Sequence, residues 1–120
     1  MLRLALKENA VITARHFDPD FAPVFRCILE KWPPTADGYV WITAGFEERE
    51  GFHSLYRAID VRTHNIMRWG QDANRRREKL VELARRCQGR LGKHWDVVAH
   101  PELAGQEQEH IHFERDDKGE

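Results

Sequence analysis

Apolar residues recur at helical spacing in two stretches of the chain. Phe21, Val24, Phe25, Ile28, Leu29 and Trp32 form one stripe, entered at Asp18-Pro19-Asp20 and stopped by Pro33-Pro34. The spacing predicts a helix between those boundaries. Leu80, Leu83, Ala84, Cys87 and Leu91 form a second stripe, on a long helix from about Asp72 to Arg90 that frays at Gly89 and Gly92. Between the helices the period changes. Tyr39-Val40-Trp41-Ile42-Thr43, after an Asp37-Gly38 turn, is rich in β-branched and aromatic residues and is the strongest strand pattern. Ala58–Arg62, Trp95–Val98 and His110–Glu114 read as further strands, and Val11–Phe17 as a short, imperfect one. Ala44–Phe52 reads as a loop carrying the acidic run Glu47-Glu48-Arg49-Glu50, and Pro101–Gln108 is long for a plain hairpin connection. Helix, strand, strand, helix, strand, strand predicts an α+β domain: a small antiparallel or mixed sheet with helices packed on one side.

Composition narrows the class. With 120 residues, 41% apolar and 32% charged, the chain fits one globular domain over residues 1–114 and is too apolar for a disordered segment. Residues 115–120, all charge and glycine, read as a frayed tail. Nineteen Lys and Arg against twenty Asp and Glu leave a net charge of −1, which argues against a dedicated nucleic-acid binder. No apolar run approaches the roughly 18–20 residues of a membrane span, and Met1–Glu8 meets charge too early for a signal-peptide core. Cys27 and Cys87 fall in the helical stripes, so buried thiols are expected rather than a disulfide framework. Arg75, Arg76, Arg77, Lys79, Arg85, Arg86 and Arg90 give the long helix a basic face, read as solvated. Trp32, Trp41, Trp69 and Trp95 read as core or core-edge residues, with Trp69 the best candidate for exposure.

The seven histidines are unusually many for this length. In His110-Ile111-His112, strand alternation points both imidazoles to one face while Ile111, and then Phe113, face the core. Two imidazoles together suit a metal, although a pair of surface histidines is the plainer alternative. Asp60 stands between Ile59 and Val61, a carboxylate among apolar residues that needs a partner: a cation, or an arginine such as Arg57 or Arg62. His53 lies seven residues before it. Glu109 stands three residues before His112, with Glu107 its rival for any base role. A zinc hydrolase needs three protein ligands, an open position for water and a group to take that water's proton. His53, Asp60 and His112 could supply the first requirement and Glu109 the last. His16, His64, His94 and His100 show no partner at ligand spacing, although His64 could reach the site from behind a ligand.

Over roughly residues 37–114 this set resembles the zinc peptidases that include D-Ala-D-Ala carboxypeptidases and phage L-alanyl-D-glutamate endopeptidases. These share a metal-site fold with lysostaphin-type enzymes and hedgehog. The resemblance runs through Ile42-Thr43-Ala44-Gly45-Phe46, Gly51-Phe52-His53 and Arg57-Ala58-Ile59-Asp60-Val61. It continues in Trp95-Asp96-Val97-Val98 and Glu109-His110-Ile111-His112-Phe113-Glu114. It implies that His53, Asp60 and His112 hold Zn2+ and that Glu109 is the general base. His110 would hydrogen-bond the tetrahedral oxyanion or donate a proton. Gly51, Tyr56 and Glu47 stand where the family has Ser, Gly and Arg, of which the Ser and Arg help to hold substrate. That departure, with the acidic loop beside the metal, favours an endopeptidase acting on peptidoglycan peptides over a carboxypeptidase, or an enzyme with a changed peptide substrate altogether. The resemblance implies a small phage or bacterial enzyme; the charged start of the chain leads us to expect synthesis in the cytoplasm, with the wall reached by release or in a virion. A non-catalytic zinc-binding, virion-associated module on the same scaffold is the alternative reading. A metal-free domain that binds a polyanion through its basic helix is a third.

Overall fold

The computed structural model describes residues 3–6, 22–44 and 58–115. The four strand patterns within them become strands: β2 (Tyr39–Ala44), β3 (Ala58–Arg62), β4 (Trp95–Ala99) and β5 (His110–Arg115). A further strand, β1 (Arg3–Leu6), has no counterpart in the sequence reading. Leu4 and Leu6 alternate with Arg3 and Ala5, but four residues are too short a run to read as a strand on their own. What makes them extended is the backbone of β2, which they pair in parallel, Leu4 opposite Val40, with the Arg3 amide donating to the Gly38 carbonyl at 3.1 Å. The sheet order is β1-β2-β3-β5-β4, and every pairing but the first is antiparallel. Among the described residues the fold is therefore α+β with a mixed five-stranded sheet. The expected strand at Val11–Phe17, the Glu47–Glu50 loop and the tail beyond Arg115 lie outside the described residues.

Both helices pack on one face of that sheet. Helix α1 (Ala22–Lys31) buries Val24, Cys27 and Ile28, and its continuation buries Trp32, whose ring lies 6.3 Å from that of Phe113 on β5. Helix α2 (Ala73–Leu91) begins at Asp72, whose carboxylate accepts the Asn74 amide at 3.1 Å as an N-cap. It ends at Gly92, with φ +90°, a conformation that favours glycine. Leu80, Leu83, Ala84 and Cys87 meet Ile59, Val61, Ile111 and Phe113 in one apolar cluster. The two cysteines are free and fully buried. Contact with Cys27, together with burial, pushes the Cys87 thiol up. No helix among the described residues is long and apolar enough to cross a membrane.

One expectation about the surface holds and another changes. Trp69 is buried at 4% exposed, in keeping with the core reading of the tryptophans, because the chain turns through a short 3-10 segment, Met67–Trp69, that lays the ring 5.3 Å beneath the Arg76 guanidinium. Arg76, expected on the solvated face of α2, is 3% exposed. It stands four residues before Leu80 and seven before Leu83, so helical geometry places it on the apolar stripe.

Candidate functional site on the open face of the sheet

The antiparallel register of β3 and β5 decides which side chains meet. Ile59 lies opposite Phe113 and Val61 opposite Ile111, and these pairs face the helices. The intervening pairs, Asp60 opposite His112 and Arg62 opposite His110, face the other way. Sheet pairing thus delivers Asp60 to the HxH motif from 52 residues away, and Asp60 Oδ1 lies 2.6 Å from His112 Nδ1. The second nitrogen of His112 is 3.3 Å from Glu114 Oε1. Both carboxylates and both histidines are 15–19% exposed, so the cluster is shielded without being sealed.

His110 is fixed differently. Its Nδ1 lies 2.7 Å from the Gln108 carbonyl. A carbonyl only accepts, so Nδ1 carries the hydrogen, and in the neutral ring Nε2 is the acceptor. That nitrogen points toward Asp60 Oδ1 at 3.9 Å, beyond direct hydrogen-bond reach. His100 packs against the His110 ring at 5.0 Å between centroids, a neighbour that sequence spacing did not reveal. It arrives because the Pro101–Gln108 connection folds through a 3-10 turn (Pro101–Leu103) that keeps the ends of β4 and β5 together. His64 is elsewhere, beside Gly70, Arg76 and Gly105.

Glu109 is brought to the opposite face. It alternates with Ile111 and Phe113 and is 0% exposed. Arg76 Nε and Nη2 donate to its two oxygens at 2.8 and 2.7 Å, Thr63 Oγ1 donates at 2.8 Å and the Gly105 amide at 2.7 Å. Arg76 also donates to the carbonyls of Ile66, Gly70 and Thr63 at 2.7–3.0 Å. Burial alone would push the Glu109 carboxyl up, but the Arg76, Gly105 and Thr63 hydrogen bonds outweigh it and hold the group below the ordinary carboxylate range. A carboxylate with both oxygens occupied and its proton affinity lowered is a poor base at neutral pH. Glu107, its rival in the sequence reading, is exposed.

A borderline cation such as zinc takes one carboxylate oxygen and one imidazole nitrogen readily, and Asp60 Oδ1 and His112 Nδ1 converge as those two donors. The proton between them is the one such an ion displaces. The third expected ligand, His53, lies outside the described residues. Among the described residues no group of three or more His, Cys, Asp or Glu side chains is placed to hold a metal. No family model matches the chain, and no curated protein is found as a relative.

Proposed function

We propose that this chain is a zinc-dependent peptidase that hydrolyses an amide bond within peptidoglycan peptides, on a sheet of the hedgehog and D-Ala-D-Ala-peptidase type. The observation that carries the reading is the shielded Asp60–His112 pair, with His110 on the same face and its acceptor nitrogen turned inward. His53, Asp60 and His112 would hold the ion. When bound, zinc supplies an acidified water and polarises the scissile carbonyl.

The chain's own residues do the rest. The β3–β5 register sets Asp60 and His112 side by side to hold the ion, and Glu114 stands behind the other nitrogen of His112, the outer contact that ligating histidines ordinarily have. We assign proton transfer to His110 in place of Glu109. Its Nδ1–H is tied to the Gln108 carbonyl, so Nε2 is free to take the proton of the attacking water and return it to the leaving amine. Glu109 then acts as a positioning residue, fixing the start of β5 through Arg76 and Thr63. Glu47 and Gly51 at the substrate-holding positions support internal cleavage over removal of a terminal residue.

The test is release of soluble peptide fragments from purified sacculi by the zinc-supplemented protein, with and without a chelator. Chelator-sensitive release of stem-peptide fragments is the expected result. Stoichiometric zinc with no fragment released would support the non-catalytic module instead.

A further inference from the structure

The cationic side chains of α2 are not spread evenly around the helix. Arg75, Lys79 and Arg86 converge with Lys31 at the end of α1 and with Arg68 from the 3-10 turn around a single groove of about 300 Å3. One carboxylate, Glu82, enters it, 3.9 Å from Lys79 and 2.7 Å from Arg86. Among the described residues no carboxylate pairs with Lys31, Arg68 or Arg75. Five cations thus face one anion in a concave site, in a chain whose net charge is −1. The neighbouring hollow, where Arg77 and Arg85 stand with Glu78 and Glu82, is balanced in charge.

We propose that this groove binds a compact anion carrying two or more phosphate groups. Guanidinium forks match phosphate oxygens in pairs, and lysine adds a point charge. Five cations exceed what a single phosphate can engage. The volume suits a small ligand. The groove's indole, Trp69, is buried, so no aromatic face is offered for base stacking, which favours a compact oligophosphate over single-stranded nucleic acid. The site lies on the helical side of the sheet, opposite the face bearing Asp60 and His112, so occupancy leaves that face open. The proposal is independent of the peptidase reading.

Calorimetric titration of the full chain with tripolyphosphate at about 0.1 M salt tests it. Saturable one-to-one binding is expected, weakened about tenfold by Arg75→Ala and further by Arg75→Ala with Lys79→Ala. Arg85→Ala, outside the groove, should leave it unchanged. Circular dichroism of the variants checks that the exposed substitutions leave the fold intact. Absence of saturable binding, or equal weakening by Arg85→Ala, would overturn the proposal. So would tighter binding of a DNA duplex that depends equally on Arg85.

Discussion

Replacing Arg76 with alanine is expected to lower folding stability by about 3–5 kcal/mol, because it strands the Glu109 carboxylate, 0% exposed, without its cation. Glu109→Ala should cost a similar amount by stranding the guanidinium. Removing both charges together, as in Arg76→Met with Glu109→Leu, should cost less than the sum of the single changes, since no buried charge is left alone. Chemical denaturation of the three variants measures this. The pair also predicts a pH dependence. The folded carboxyl is held below its ordinary value of 4.5, so its contribution is fully present above that unfolded value and is lost as pH falls through the lower folded one. Wild type should therefore lose stability on acidification more steeply than Glu109→Gln. Equal slopes, with single-variant losses near zero, would remove the buried pair from the account of the fold.

The second large effect concerns catalysis. His110→Ala is expected to lower turnover by about 10²–10⁴-fold while zinc content and the unfolding midpoint stay near wild type, because His110 is neither a proposed ligand nor a core residue. Glu109→Gln, measured on the folded fraction, should keep turnover within a small factor of wild type. The reverse result, with Glu109→Gln inactive and His110→Ala active, would return the base role to Glu109 and require that its carboxylate leave Arg76 during the reaction. Fragment release from sacculi, read beside zinc content for each variant, separates the two cases.

Much of this architecture was legible in the sequence because period and position agreed. Tyr39–Thr43 and Ala58–Arg62 became strands where alternation placed them, and α2 begins at its Asp72 cap. At two positions charge and spacing point to different places. Arg76 sits in the run Arg75-Arg76-Arg77, whose charge suggests a solvated face, yet its spacing from Leu80 and Leu83 places it on the buried stripe. Glu109 was joined to His112 by motif spacing, yet the alternation that puts Ile111 and Phe113 in the core puts Glu109 there too. The contact of Arg76 with Glu109, 33 residues apart, was not legible, since it depends on how α2 lies across the start of β5. Strand β1 is not legible for a related reason: a four-residue alternation becomes a strand only once β2 is there to pair with it and the core to receive Leu4. The Asp60–His112 pairing was half legible: each residue's face followed from alternation, but the register that sets them opposite each other did not.

The most direct test of the account is the zinc content of the purified, tag-free protein beside its His112→Ala variant. About one zinc per chain in the wild type, lost in the variant, is the predicted result, three ligands with an open position being the arrangement of a catalytic site. A wild-type protein that takes up no zinc on supplementation, or a variant that retains it in full, would contradict the assignment of Asp60 and His112 as metal ligands and with it the peptidase reading.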